Sequence, residues 1–235
     1  MKIVIFEKGF NYSQDGPGNR LVYHMAGCNM FCPWCSNPEG MSSSGKEYLT
    51  DDIKNEILSA VPMFFDGGGV TFTGGECTLQ EDAICTVIDS LPDINFCIES
   101  NADTTSFLSV AEKCDTVIID YKSPDKEKLK TVTGGNLERI ENNIRDILKI
   151  KPVHMRIPFI HGFNDDEESL KGFTEFFSSL DGDFDVEILP YHEYGKEKWK
   201  KLNKQYTVTD GFVKKETINL LIEKLKSNSI RVVKT

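Results

Sequence analysis

Strand-like and helix-like apolar patterns alternate along almost all of this 235-residue chain, and that alternation restricts the fold more than any other feature. Leu21–Met25 is a short apolar run. Asp51 or Asp52 is placed to cap a helix carrying Ile53, Ile57 and Val61 and stopped by Pro62. A strand at Val70–Thr73 precedes a helix through Ile84, Val87, Ile88 and Leu91, and a strand at Asn95–Glu99 precedes a helix near Phe107–Lys113. Thr116–Tyr121, a helix over Leu137–Ile150 and a strand over Val153–Ile160 follow. Leu170, Phe173, Phe176, Phe177 and Leu180 mark one face of the next helix. The strand Val186–Leu189 and a helix bearing Ile218, Leu221, Ile222 and Leu225 complete the series. Parallel strands need a crossover, so six such β–α units predict an α/β fold with parallel strands and helices outside. No repeat, low-complexity stretch or linker interrupts the chain, which predicts one domain over residues 1–235.

The loop after the first run holds three cysteines in eight residues, Cys28-Asn29-Met30-Phe31-Cys32-Pro33-Trp34-Cys35. A closed zinc site or a fully ligated iron–sulfur cube takes four protein ligands, so three leave one metal position open for chemistry. The spacing resembles the cluster loop of the radical S-adenosylmethionine (SAM) enzymes, in which three thiolates hold a [4Fe–4S] cluster and SAM chelates the fourth iron. The alternative is a zinc site with a distant fourth ligand. Zinc ligands usually come as repeated Cys pairs, and no second pair follows.

Composition excludes several other classes. The formal net charge of −10 argues against a nucleic-acid partner. Lysines gather near Lys122 to Lys130 and Lys196 to Lys204, where solvated helix faces are the expected reading. The opening MKIVIFEKGF has only a short apolar run broken by Glu7 and Lys8, which fits neither a signal peptide nor a membrane span. Seven cysteines, three of them clustered, point to a reducing cytoplasm rather than a disulfide scaffold. Cys77, Cys85, Cys97 and Cys114 are scattered, and three of these sit among apolar neighbours as small core residues.

Polar residues fall where the strands end: the cysteines, then Gly74-Gly75-Glu76, then Glu99-Ser100-Asn101, then Asp120 and Lys122. Arg156 lies within the fifth strand and His192 just past the sixth. In parallel α/β barrels these ends share one rim, which carries the active site. Each also has a plainer reading: Gly74-Gly75 as a turn, His192 as a surface or core residue. Asp120 resists one, because a carboxylate among Val117, Ile118 and Ile119 needs Lys122 or a ligand amine.

Five further segments narrow the resemblance to the glycyl-radical-enzyme activating enzymes, in their compact pyruvate formate-lyase-activating form. They are Asp15-Gly16-Pro17-Gly18-Asn19-Arg20, similar to a DGPG-x-R entry; Phe72–Glu76, similar to a GGE strand; and Ile119–Lys122, similar to a D-x-K strand. Arg156–Asp165 resembles an R-x-P-x-I-x-G-x-N-D segment, and Ile188–Lys198 an LPYH-x-x-G-x-x-K ending. The resemblance implies a partial (β/α)6 TIM-like barrel of the radical SAM type. Cys28, Cys32 and Cys35 would hold the cluster. Trp34, Ser36, Gly74, Gly75, Glu76, Glu99, Asn101, Asp120, Tyr121, Lys122, Arg156 and His192 would bind SAM. Asp15, Gly16, Pro17 and Gly18 would meet the substrate peptide. One electron then cleaves SAM to a 5′-deoxyadenosyl radical, which takes a glycine Cα hydrogen from a glycyl-radical enzyme. A flavodoxin or ferredoxin would be the reductant and the protein a monomer.

Two departures matter. Only the short Gly40–Lys46 stretch follows the cluster loop, where many relatives insert a ferredoxin-like module; no such insert is expected here. A D-T-N sequence that helps hold a monovalent cation in the compact type reads Glu99-Ser100-Asn101 here, one methylene longer. A radical SAM enzyme of small molecules and a non-catalytic metal-binding or electron-transfer protein are the alternative functions.

Overall fold

The structure is a computed structural model and describes residues 1–234. The chain divides into two compact units, the first built from Met1–Asn29 and Asn37–Ile118, the second from Met30–Ser36 and the residues from Ile119 onward.

The first unit begins with β1 (Lys2–Tyr12), β2 (Asn19–Met25) and β3 (Lys46–Leu49). It continues through α1 (Thr50–Ala60), β4 (Gly69–Gly74), α2 (Glu81–Asp89), β5 (Phe96–Ser100) and α3 (Phe107–Ala111). Its strands lie in the order β3-β1-β2-β4-β5. β2, β4 and β5 pair in parallel, from Arg20↔Gly69 to Met25↔Gly74 and from Val70↔Phe96 to Phe72↔Ile98. β4 is covered on both faces, as expected of a central parallel strand. β1 and β3 add antiparallel pairs that the sequence pattern does not announce: β1 mixes charge and apolar residues, and β3 is largely exposed. α1 also starts one step earlier than the acidic pair suggests. Leu49 takes the cap position, and Asp52 reaches back from the first turn to its N–H. Val61 falls outside the helix, in a short 3-10 turn over Val61–Met63.

β6 (Thr116–Asp120) runs across the division, giving its first three residues to one unit and its last two to the other. The second unit continues with α4 (Lys126–Thr133), α5 (Leu137–Leu148), β7 (Val153–Phe159), α6 (Glu167–Ser178) and β8 (Phe184–Pro190). It closes with α7 (Lys196–Lys201), α8 (Lys215–Ser227) and the short β9 (Val232–Val233). β7, β8 and β9 are parallel. Along β7, Val153, Met155, Ile157 and Phe159 are buried on one face, which turns His154, Arg156 and Pro158 to the other. Asp125, Asn136 and Asp166 cap α4, α5 and α6 through their side chains, each accepting bonds from first-turn N–H groups. α5 buries Leu137, Ile140, Ile144, Ile147 and Leu148 at helical spacing. α4, not anticipated as a separate helix, buries only Leu129 and Thr133. Among the described residues no helix is long and apolar enough to cross a membrane.

Candidate active site

In the first unit, three of the anticipated strand ends are wired together. Gly75 N donates to Met25 O at 2.9 Å and Glu76 N to Gly27 O at 2.7 Å, on the segment that runs into Cys28. Glycine is required by this close approach. A Cβ on Gly75 would lie 2.0 Å from Gly27 O, and one on Gly74, which has φ +108°, would lie 2.3 Å from Met25 N.

Glu76 is fully buried. Its Oε1 accepts from Thr78 N (3.1 Å), Thr78 Oγ1 (2.5 Å) and Ser100 Oγ (2.8 Å), and its Oε2 from Asn101 N (2.8 Å). Burial pushes the carboxyl up, and the bonds from Thr78, Asn101 and Ser100 oppose that shift. Asn101 carries the network onward: its Nδ2 donates to Asn29 Oδ1 at 2.8 Å, while Asn29 Nδ2 donates to Asp103 O at 2.7 Å. The GGE segment and the end of β5 are therefore fastened to the residue next to Cys28. Glu99 accepts the Thr73 hydroxyl at 2.8 Å.

The Asp15–Gly18 loop is held by Arg20, whose side chain is fully buried. Arg20 Nε donates to Thr71 Oγ1 at 2.7 Å, and its terminal nitrogens to Val70 O (2.7 Å), Pro17 O (3.1 Å) and Asn95 O (3.2 Å). Thr71 Oγ1 in turn donates to Asp15 O at 2.6 Å, and Asn11 Nδ2 donates to the Asp15 carboxylate. Gly16 and Gly18 are packed inside the unit with positive φ, while Pro17 is exposed and Asp15 half-buried.

In the second unit, Cys32 and Cys35 sit in a tight turn closed by Cys35 N to Cys32 O at 3.1 Å. Cys32 is buried, and burial pushes its thiol up to about 12; Lys122 pulls against that, while Cys35 and Asp120 add to it. Lys122 and Asp120 thus act on the Cys32 thiol with opposite signs. Lys122 Nζ lies 3.1 Å from Asp120 Oδ2, with the lysine largely buried and the aspartate half-exposed. Asn164 braces this end: its Nδ2 donates to Lys122 O and Pro158 O, both at 2.8 Å, and its Oδ1 accepts from Ile160 N at 2.8 Å.

Arg156 Nε donates to Glu187 Oε2 on β8 at 3.2 Å. The same oxygen lies 3.2 Å from His154 Nε2, and His154 Nδ1 lies 2.5 Å from Asp185 Oδ1. Burial works against charging His154, but its bonds to Glu187 and Asp185 outweigh that and raise its pKa. Trp34 packs on Phe163 with ring centroids 4.6 Å apart, beside a small core of Ile160, Phe163 and Tyr191. His192 stacks on Tyr194 at 4.2 Å, and burial lowers its pKa. Ser36 is half-buried.

The Tyr121 side chain lies away from the Asp120–Lys122 pair. Its ring is fully buried against Phe173, Phe176 and Phe177 of α6, and its hydroxyl donates to Glu141 at 2.8 Å. Neighbours on a strand point to opposite faces, so with Asp120 and Lys122 on one side Tyr121 belongs to the helix layer.

The donor set suits an iron–sulfur cluster: three thiols on one loop, none of them disulfide-bonded, with a cation acting on the buried one. Among the described residues no group of three or more His, Cys, Asp or Glu side chains converges on one metal-ion position. Sequence reasoning assigned no role to Arg20, Asn29, Thr78, Ser100, Asn164 or Glu187. Two carried a local signal: Thr78 lies two residues past Glu76, within reach of a capping carboxylate, and Asn164 lies two residues past Gly162 in a turn-forming segment.

The profile of the Radical SAM superfamily matches residues 22–173, so fold and cysteine loop together define a radical SAM domain. A pyruvate formate-lyase-activating enzyme from Staphylococcus aureus (strain USA300) is 35% identical over 210 residues, covering 83% of this chain and 84% of that protein. The crystal structure of a domain of a pyruvate-formate lyase-activating enzyme from Bacteroides vulgatus ATCC 8482 superposes with a TM-score of 0.56 at 28% identity, over 71% of this chain and 98% of that one. A radical SAM methyltransferase from Sphaerobacter thermophilus, 13% identical, shares the fold with a TM-score of 0.68 over 96% of this chain and 72% of its own. The chain belongs to the radical SAM superfamily and, within it, to the family of the pyruvate formate-lyase-activating enzymes. Its fold is accordingly the α/β partial barrel of the radical SAM type, and its cofactors are a [4Fe–4S] cluster and SAM.

Proposed function

We propose that this chain installs the glycyl radical in a large partner enzyme, with Cys28, Cys32 and Cys35 as the three cluster ligands. The observation that carries the reading is the three-thiol loop itself, free of disulfides, with Cys32 and Cys35 held in one tight turn by Cys35 N to Cys32 O at 3.1 Å; the Lys122–Asp120 pair, 3.1 Å apart, offers charges of both signs that suit an amino-acid zwitterion. Cys28, Cys32 and Cys35 would hold the cluster, which would supply one-electron reduction of SAM and, through it, hydrogen abstraction from the partner's glycine. The protein's part is to bind, orient and exclude water.

Gly74, Gly75 and Glu76 form the rigid wall to which the methionyl amino group is assigned; Glu76 acts on that wall through Thr78, Ser100 and Asn101 rather than by a free carboxylate. Lys122 and Asp120 are assigned to the methionyl carboxylate and ribose, and Arg156, steadied by Glu187, to ribose or carboxylate oxygens. Trp34, Ser36 and His192 are assigned to the adenosine end. Glu99, beside Asn101, is the carboxylate that would face a monovalent cation. The Asp15-Gly16-Pro17-Gly18 loop is assigned to the substrate peptide, with exposed Pro17 and half-buried Asp15 as its contact groups. The protein works in the cytoplasm, a reading supported by seven free cysteines, as a monomer with a flavodoxin or ferredoxin as reductant.

Anaerobic reconstitution tests the ligand set. Ala at Cys28, Cys32 or Cys35 should abolish cluster absorbance and deoxyadenosine release, whereas Cys114→Ala should retain both. A Cys32→Ala protein that keeps four irons would overturn the assignment.

A further inference from the structure

The second unit carries a basic surface built onto the cysteine loop, and the reaction machinery above makes no use of it. In a chain of net charge −10, α7 and the residues after it hold Lys196, Lys198, Lys200, Lys201 and Lys204 within nine positions. Lys196 pairs with Glu193 at 3.1 Å. Lys200, Lys201 and Lys204 are exposed and make no ion pair among the described residues. Lys196, Lys200 and Lys204 wall an open depression of about 520 Å3, which Glu197, Asn203, Gln205 and Tyr206 complete.

The underside of this surface is tied to the cluster loop. Trp199, on the buried side of α7, donates its indole N–H to Cys35 O at 2.9 Å. Gly195, just before the helix, lies so close that a Cβ there would come 2.4 Å from Cys35 O and 2.8 Å from Ser36 Cα. The Trp199 ring meets Tyr206 edge-on, with centroids 5.8 Å apart, and Tyr206 is a wall of the depression. Two aromatic rings thus connect the lysine-walled surface with the main chain of the third cysteine. The exposed Lys200, Lys201 and Lys204, with Lys196 already paired to Glu193, would steer and orient an acidic protein.

We propose that this depression is the docking surface for an acidic one-electron carrier protein, with Tyr206 and Trp199 bridging the docked carrier and Cys35. The proposal rests on the reading that Cys35 holds the cluster. In the step it serves, the reduced carrier loses one electron and the cluster gains it; no bond forms or breaks and no proton need move.

The test is the triple variant Lys200→Glu, Lys201→Glu, Lys204→Glu in the reconstituted protein, with a flavodoxin and a two-cluster ferredoxin as acidic probes. Carrier affinity is measured by calorimetry at low and at roughly physiological salt. Deoxyadenosine release is measured with each reduced carrier and, separately, with dithionite, which needs no docking surface. The parent should bind at least one carrier, and less tightly as salt rises. The variant should bind it at least ten-fold more weakly at low salt and lose carrier-driven turnover in proportion, while dithionite-driven turnover stays within two-fold of the parent. Unchanged carrier affinity in the variant, or no carrier bound by the parent, overturns the proposal. So does an equal loss with dithionite, which would mean a damaged cysteine loop. Loss of glycyl radical in a dithionite assay, at unchanged carrier affinity, would give the surface to the substrate protein instead. A parent with a full cluster that fails to cleave SAM with dithionite would sink the functional reading itself and this proposal with it.

Discussion

Arg20→Met isolates what the buried guanidinium does. Methionine roughly keeps the length and apolar packing of the arginine stem but removes every donor. Four acceptors lie within 3.2 Å of the guanidinium nitrogens: Thr71 Oγ1, Val70 O, Pro17 O and Asn95 O. They belong to the 15–18 loop, to β4 and to the residue before β5, so a single side chain closes three segments. Bonds from a charged donor are worth about 1.5–3 kcal/mol each, and a buried acceptor left alone costs about 1–3 kcal/mol. Burying the guanidinium offsets part of this, since burial lowers its pKa. Truncating one side of a buried charged network usually nets about 3–5 kcal/mol. For a chain of this size that is a fall in Tm of roughly 6–20 °C. Calorimetry on the metal-free protein reads it directly, and limited proteolysis should begin at residues 13–18 in the variant. Arg20→Lys should recover less than half, because one ammonium cannot reach acceptors on three segments. A Tm within 2 °C of the parent, with the loop still protected, would show that water replaces the guanidinium and that the argument is wrong.

Asp120→Asn and Lys122→Met should leave the cluster chromophore intact and weaken SAM binding by roughly ten- to hundred-fold, the equivalent of about 1.5–3 kcal/mol; anaerobic calorimetry checks it, and unchanged affinity in both would remove this strand end from the ligand. His154→Gln tests a pH dependence. The folded pKa of His154 is raised, so its contribution to stability is complete below the ordinary value of about 6.5 and is lost as pH rises through the folded value. The Tm gap between parent and variant should therefore narrow from pH 6 to pH 8, and a constant gap refutes it. Gly18→Ala forces a Cβ to 2.4 Å from Phe65 O at φ +70°; the strain should cost roughly 1–3 kcal/mol, visible as a lower midpoint in urea.

The parts of this molecule that were legible in the sequence are those whose signal is local. Strands buried on both faces read as apolar runs and those buried on one face as alternation, so β4 and β5 on the first signal and β7 on the second fall where the pattern places them, as does β8. β1 and β3 do not, because an antiparallel strand with an exposed face can carry Glu7, Lys8 and Asn11 and still pair along its length. The metal loop is legible for a related reason: ligands on one turn must be close in sequence, and eight residues are enough to propose them. The braces are another matter. Glu76 depends on Ser100 and Asn101, Arg20 on Thr71 and Asn95, and the Lys122 carbonyl on Asn164, across separations of 24 to 75 residues. Each is a hydrogen bond that involves a polar side chain whose distant partner leaves no local signal in the sequence. The consequence is specific to this chain. Glu76, which the sequence offers as a ligand contact, has its carboxylate occupied by four donors, while Arg156, offered in the same way, leans on a Glu187 that no motif announced. Substituting Glu76 should therefore act first on the geometry of the 74–76 and 100–101 segments, and substituting Glu187 on the aim of Arg156.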